Sequence, residues 1–120
     1  MTNHGDFSPE AREAAHAKAR AAEVFAEHAE VIVAALPDVP DGHVLIAIVG
    51  DSHDFSGTHH VPQDEIVARV PELEGSGWAM VFTPGTDVDG VKSRTEEMAT
   101  LARRRAEMIT RILTRHPESE

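Results

Sequence analysis

The first third of the chain has the spacing of one long helix. Apolar side chains recur at intervals of three and four from Val24 to Leu36, and neither glycine nor proline occurs between Pro9 and Pro37. Ser8 is a good N-cap, and Pro9 suits the first helical position. The sequence therefore predicts a helix of about 27 residues, whose first half offers only alanines to a helix that packs against it.

The last part of the chain predicts a second long helix. Ser93 and Glu96 fit a capping box, so we expect this helix to begin by Ser93, with Asp89 as an earlier alternative cap, and to end near Arg115. Its larger apolar side chains recur at intervals of three, seven and four, at Met98, Leu101, Met108 and Ile112. Arg105 falls within this stripe, which we expect to face the core, where a guanidinium needs a carboxylate or a bound anion as its partner.

Two apolar runs between these helices predict strands. The strand predicted at 43–50 is apolar without alternation from Val44 to Val49, as in a strand with both faces covered, and a second strand is predicted at 78–83. A short helix predicted at 62–70 separates them, and the order strand, helix, strand favours parallel strands. A competing interpretation stays open, in which 58–61 form a third strand hairpinned onto 44–50 in an antiparallel sheet.

The fold class expected from this order is α/β. It has a small β-α-β core of two or three strands, flanked by long N- and C-terminal α-helices, in one domain at 8–116 between flexible tails at 1–7 and 117–120. A seven-residue strand spans roughly 23 Å and the first helix roughly 40 Å, so the helices overhang the sheet. The overhang and two open sheet edges favour a homodimer or higher oligomer. The alternative is a monomer whose two long helices pack on each other.

Composition and charge narrow the class of protein. The chain has no cysteine, which excludes disulfides and thiolate metal sites. No apolar run approaches the roughly 20 residues of a membrane span, and no signal-peptide pattern stands at the N-terminus, so we expect a cytoplasmic protein.

The formal net charge of −10 argues against general nucleic-acid binding. Residues 1–90 carry 4 Lys/Arg against 16 Asp/Glu, whereas residues 91–120 carry 7 against 5, so the last helix is a basic element in an acidic chain.

The chemistry-bearing residues cluster after the first strand. The loop predicted at 51–60 contains Asp51, Ser52, His53, Asp54, His59 and His60. Carboxylates beside imidazoles can bind an organic ligand or a metal, for which His53, Asp54 and His59 are weak candidates, and they can also serve acid–base catalysis. The plain alternative is a polar loop whose side chains cap turns. The spacing matches no helix-borne zinc motif, and the sequence requires no cofactor.

Two short motifs in this loop resemble enzyme families. Gly50-Asp51-Ser52 after a buried strand resembles the first block of SGNH hydrolases, which implies Ser52 as a nucleophile, but the later Asp-x-x-His pair of that family is absent. His53-Asp54 is similar to the pair of the HD phosphohydrolases, which stands on helices in that family and follows a strand here. Neither resemblance supplies a complete catalytic set, so catalytic residues stay unassigned.

The second polar loop follows the second strand, at 84–90. It contains Thr86 and Asp87, and parallel strands would bring it to the same rim as 51–60, near Arg105. We therefore expect a small acidic binding or accessory protein, oligomeric, that receives a small anionic ligand or a protein partner at these two loops. The alternatives are a small hydrolase that uses the 51–60 loop, with or without a metal, and a protein-only interaction module such as an inhibitor or chaperone. Binding is expected rather than catalysis.

Overall fold

Long terminal helices flank a small sheet in the computed structural model, which describes residues 8–115, so the chain has the expected α/β architecture. The elements in chain order are α1 Pro9–Glu27, α2 Ala29–Ala35, β1 His43–Val49, β2 Phe55–Pro62, α3 Ile66–Glu74, β3 Trp78–Phe82 and α4 Val88–Arg115. Short 3₁₀ turns occupy Leu36–Asp38 and Gln63–Glu65. The tails predicted at 1–7 and 117–120 lie outside the described residues. No helix within 8–115 is both long enough and apolar enough to cross a membrane.

His28 divides the first predicted helix into two. Ser8 caps α1 as expected, since its hydroxyl accepts a hydrogen bond from the Ala11 N–H at 3.1 Å. His28 leaves the helical conformation, with φ −106° and ψ 20°. Its Nδ1 donates to the Val24 carbonyl at 2.8 Å, and its ring stacks on Phe55 with the ring centres 4.5 Å apart. The predicted single helix is therefore α1 followed by α2, with a break of one residue.

The sheet has three strands in the order β2-β1-β3, and both pairings are antiparallel. The expectation of parallel strands is wrong, and the competing hairpin interpretation is confirmed. Most of the polar loop predicted at 51–60 is the edge strand β2, which begins at Phe55. The reason is the tight connection at 50–54, which returns the chain directly beside β1. The connection through α3 then crosses over β1 and places β3 at the far edge.

Both faces of the sheet are covered, as the continuous apolar run of β1 predicts. On one face, β1 and β3 pack against α1, α2 and α4; the largest fully buried members of this cluster are Phe25, Ile32, Leu45, Val49 and Phe82. The other face packs against α3 through a smaller cluster that contains Val44, Ile46, Ile48 and Val61. The result is three layers, with the central strand buried on both sides.

α1 and α4 pack antiparallel along a seam of small side chains. The buried alanines of the seam are Ala15, Ala19 and Ala22 on α1 and Ala99, Ala102 and Ala106 on α4. Ala26 lies near Lys92 at one end and His16 near Thr110 at the other, so the helices run in opposite directions. The molecule is 54 Å long and β1 has only seven residues, so this pair extends past the sheet. The two long helices thus partner each other within one chain.

α4 begins earlier than the capping box predicts. The Asp87 carboxylate accepts a hydrogen bond from the Gly90 N–H at 2.7 Å, and the Asp87 carbonyl accepts one from the Val91 N–H at 3.0 Å. These are the contacts of an N-cap residue. Asp87 therefore caps α4 in place of Ser93 or Asp89, and the second polar loop is shorter than 84–90.

Candidate functional site

The connection between β1 and β2 is a tight turn with one residue in the left-handed region. The His53 N–H donates to the Gly50 carbonyl at 2.8 Å, and the Gly50 N–H donates to the Asp54 carbonyl at 2.9 Å. His53 has φ 66°, the one positive φ outside glycine among residues 8–115. This conformation costs a residue with a side chain roughly 1–2 kcal/mol, so contacts of the His53 side chain have to offset it.

The His53 side chain links the turn to α1 and to β3. Its Nε2–H donates to the Ala17 carbonyl of α1 at 3.1 Å. Its ring stacks on Trp78 with the ring centres 4.8 Å apart and the planes 26° from parallel. The hydrogen bond therefore occupies one ring nitrogen of His53, and the Trp78 stack covers one face of the ring. These contacts are typical of a structural residue rather than of an acid–base catalyst.

The acidic and hydroxyl residues of the same turn do not gather around the His53 ring. Asp51 accepts a hydrogen bond from the Ser76 hydroxyl at 3.1 Å, across the turn that precedes β3. Ser52 and Asp54 are exposed, and no hydrogen bond joins Ser52 to a histidine in the described part of the chain. The nucleophile and base of a hydrolase are therefore not brought together here.

His59 and His60 are exposed residues of β2. They are consecutive in a strand, so their side chains point to opposite faces of the sheet and do not converge. Within 8–115, no group of three or more His, Asp or Glu side chains is placed to hold a metal ion. His53, Asp54 and His59, the weak metal candidates, are accordingly not gathered into one site.

Thr86 and Asp87 lie at the opposite end of the sheet from His53. Because β1 and β3 are antiparallel, the last residue of β1 pairs with the first residue of β3. The turn that follows β1 therefore lies beside the start of β3, and the loop that follows β3 lies at the far end. Thr86 donates its hydroxyl to the Thr83 carbonyl at 2.8 Å, and Asp87 caps α4. The shared rim expected for the two loops does not form.

Arg105 lies on an exposed side of α4, not on its core face. Within the stripe predicted to face the core, Leu101 is 58% exposed and Met108 is 41% exposed, whereas Met98 and Ile112 are half-buried and Met98 packs against the core. The fully buried face of α4 carries mostly small residues and one isoleucine: Val91, Thr95, Ala99, Ala102, Ala106 and Ile109. It is the small-residue face that fits closely against the alanines of α1, which leaves Leu101 and Met108 on the outer side.

An open groove of about 690 Å³ runs along the free edge of β3, next to the exposed Leu101. We term it the edge groove. Its walls are β3, the side of α4 between 94 and 105, Ala15 and Lys18 of α1, and Glu74 at the end of α3. Trp78, the chain's only tryptophan, and Leu101 contribute apolar surface to it. Sequence reasoning missed this groove, although the spacing of large apolar side chains on α4 was its signal.

The edge groove differs in charge from the rest of the chain. Its ionic side chains are Lys18, Arg94, Arg105, Glu74 and Glu97, three basic and two acidic, which gives a formal charge of +1. The whole chain carries −10, so everything outside the groove adds to −11. The groove is thus a nearly neutral surface on a strongly acidic molecule.

Arg94 sits directly against the free edge of β3. Its guanidinium donates a hydrogen bond to the Val81 carbonyl and lies over the Phe82 ring, 4.7 Å from the ring centre. An Arg side chain here both satisfies an edge carbonyl and places a positive charge beside the groove.

A second groove, of about 740 Å³, passes the turn at 52–54 and one side of α1. Carboxylates outnumber guanidiniums along it: Glu23, Glu27, Asp54 and Glu107 against Arg20 and Arg103. Arg103 is ion-paired with Glu23, which joins α4 to α1. An anionic ligand is therefore disfavoured in this groove, although it contains Ser52, His53 and Asp54.

Comparison with known proteins gives no relative. No family model matches the chain, and neither a curated protein nor a solved structure matches it.

Proposed function

We propose that the chain is a small binding or accessory protein that engages a protein partner through the edge groove. The observation that carries the proposal is the 58% exposure of Leu101 beside the outer edge of β3, which no other strand of residues 8–115 covers. Large apolar side chains exposed along a concave surface are typical of sites that bind another polypeptide.

Charge supports the same surface. A protein partner has to approach a molecule whose surface outside the edge groove carries −11, and most of that surface repels acidic partners. The groove itself carries charges of both signs, which allows ion pairs with a partner at the rim while the apolar residues are covered.

The other expected functions have less support in the geometry. A small anionic ligand held jointly by loops 51–60 and 84–90 needs the loops to meet, and they lie at opposite ends of the sheet. The hydrolase alternative needs a nucleophile and a base within hydrogen-bond reach, which the turn at 51–54 does not bring together. The interaction-module alternative is the one that the edge groove favours.

The proposal is tested by photocrosslinking from the groove. A photoreactive benzoyl-phenylalanine replaces Leu101 in one variant and Val67 in a matched control. Val67 is 89% exposed on α3 and lies outside the groove. Irradiation is carried out on the chain in cells of its source organism.

We expect one discrete crosslinked product from position 101 that position 67 does not give. Mass spectrometry then identifies the crosslinked peptide of the partner. No product from position 101, or the same products from both positions, would contradict the proposed binding surface.

A further inference from the structure

The outward-facing groups of β3 follow from its pairing. In an antiparallel strand, the N–H and C=O of one residue point to the same side, and the side alternates along the chain. Arg94 reaches the Val81 carbonyl from outside the sheet, so Val81 faces the free edge. Ala79, two residues earlier, faces the same way, and Met80 between them faces β1, where it pairs with Ala47. Two residues therefore offer backbone hydrogen-bonding groups along the edge groove.

We infer that the partner seated in the edge groove is a second copy of this chain, paired strand to strand through β3. This inference rests on the proposed function and names its partner. In the register with most overlap, a two-fold axis passes Met80, and Ala79 exchanges two hydrogen bonds with Val81 of the partner subunit. The symmetric pair doubles these bonds and joins two three-stranded sheets into one of six strands.

The charges of the groove favour a copy of the same surface. An isologous interface places one patch against itself, so it needs groups of both signs on that patch. The edge groove carries Lys18, Arg94 and Arg105 together with Glu74 and Glu97. Two copies of a chain with a charge of −10 repel each other over most orientations, and this repulsion is weak where two nearly neutral grooves meet.

Arg94 does not close the edge to a second strand. The Val81 carbonyl oxygen has two lone pairs, so it can accept from Arg94 and from a backbone N–H of the partner subunit. The guanidinium also rests on the Phe82 ring, which keeps its charge beside the edge when the side chain moves. Met98 and Leu101 of α4 lie above the same edge and become covered when the strands pair.

The test measures self-association of the purified full chain. Sedimentation velocity over roughly a hundredfold dilution gives the mass, and the emission of Trp78, which lines the groove, follows dissociation without a label. Ala79→Pro removes only an N–H that faces outward, and Leu101→Glu places a charge in the groove. The matched controls are His60→Pro, which removes an outward N–H at the opposite edge on β2, and Val67→Glu, which charges an exposed site outside the groove.

We expect the wild-type chain to sediment at twice its monomer mass and the two groove variants to dissociate at least about tenfold more readily, while both controls stay unchanged. Circular dichroism checks that each variant is folded, and Leu101→Glu keeps the test valid if proline disturbs β3. A monomer throughout the dilution series, or a dimer that survives both groove variants, overturns the inference. If the chain is monomeric and Leu101 crosslinks to a different protein, the second copy is refuted and the proposed function stands. If neither association is found, both fail.

Discussion

The substitution Gly77→Ala should be among the most damaging single-methyl changes in the chain. The Gly77 backbone lies close against the end of β1. A Cβ built on Gly77 would lie 2.1 Å from the Val49 carbonyl oxygen and 2.9 Å from the Gly50 Cα. Atoms in ordinary contact lie about 3.5–4.0 Å apart, so the clash is more than 1 Å deep. The atoms it meets are backbone of the buried central strand, which cannot move away by changing a rotamer.

The expected loss is at least about 3 kcal/mol of unfolding free energy. Overpacking a rigid site costs about 1–3 kcal/mol and occasionally more, and here β1 and β3 must separate locally to make room. A loss of this size is a large fraction of the roughly 5–15 kcal/mol that stabilises a typical domain. The measurement is urea unfolding followed by circular dichroism, with the midpoint and the slope fitted together.

Gly50→Ala is the matched control, because Gly50 is one of the residues that Gly77 contacts. A Cβ on Gly50 would meet the Ser56 hydroxyl at 3.4 Å and the Asp54 carbonyl at 3.8 Å, which are ordinary contacts. Replacing glycine by alanine also lowers the entropy of the unfolded chain, so we expect a change within about 1 kcal/mol. Equal losses for the two variants, within about 0.5 kcal/mol, would refute the close approach of the 77 and 49–50 backbones.

Three further substitutions test the packing, the turn and the cap by the same urea unfolding. Phe25→Ala, at a fully buried site, should lower the unfolding free energy by about 3–5 kcal/mol. Val67→Ala, at a site 89% exposed, should lower it by less than about 0.5 kcal/mol. Similar losses for the two variants would contradict the burial of Phe25. His53→Asn tolerates the left-handed backbone but loses the Trp78 stack, so about 1–2 kcal/mol should be lost, and no loss would mean that the ring contacts contribute nothing. Asp87→Ala should cost about 1 kcal/mol of unfolding free energy and Asp87→Ser much less, because serine is also a good N-cap residue. Equal losses for the two variants would contradict the capping role of Asp87.

The helices and the central strand could be predicted because their signals are local. Ser8 and Pro9 mark the start of α1, and the unbroken apolar run marks β1 as a strand covered on both faces. The break at His28 could not be predicted in this way, because it depends on a hydrogen bond to Val24 and on stacking against Phe55 from a distant strand. Contacts between distant parts of the chain decide where such a helix break occurs, and the spacing of apolar residues along the sequence does not reveal those contacts.

The strand direction could not be predicted from the sequence because the turn lacks the usual residues. A hairpin turn with a left-handed residue normally has glycine or asparagine there, and this chain has His53. Without that signal, the polar sequence of β2 predicts a loop. The strand tolerates polar side chains because it lies at the edge of the sheet. Because β1 and β3 are antiparallel, Thr86 and Asp87 lie at the opposite end of the sheet from His53, and the predicted shared rim does not form.

The orientation of α4 differs from the predicted one for another reason. Large apolar side chains usually mark the buried face of a helix, and Met98, Leu101 and Met108 follow that spacing. The partner of α4 is the alanine face of α1, however, and close contact between two helices selects small side chains on both. Leu101 and Met108 are left exposed, and Leu101 lines the edge groove that the proposed function uses.

The alanine seam between α1 and α4 restricts how this protein can vary. Both sides of the seam at Ala19 and Ala102 are already buried methyl groups. Helices packed through such small side chains approach to about 8 Å between axes, so a valine or leucine at either position would push the pair apart. Charged and polar positions on the outer faces carry no such restriction. Distant homologues should therefore keep the seven-residue alternation of tiny side chains at 15, 19 and 22 and at 99, 102 and 106 after other resemblance has faded.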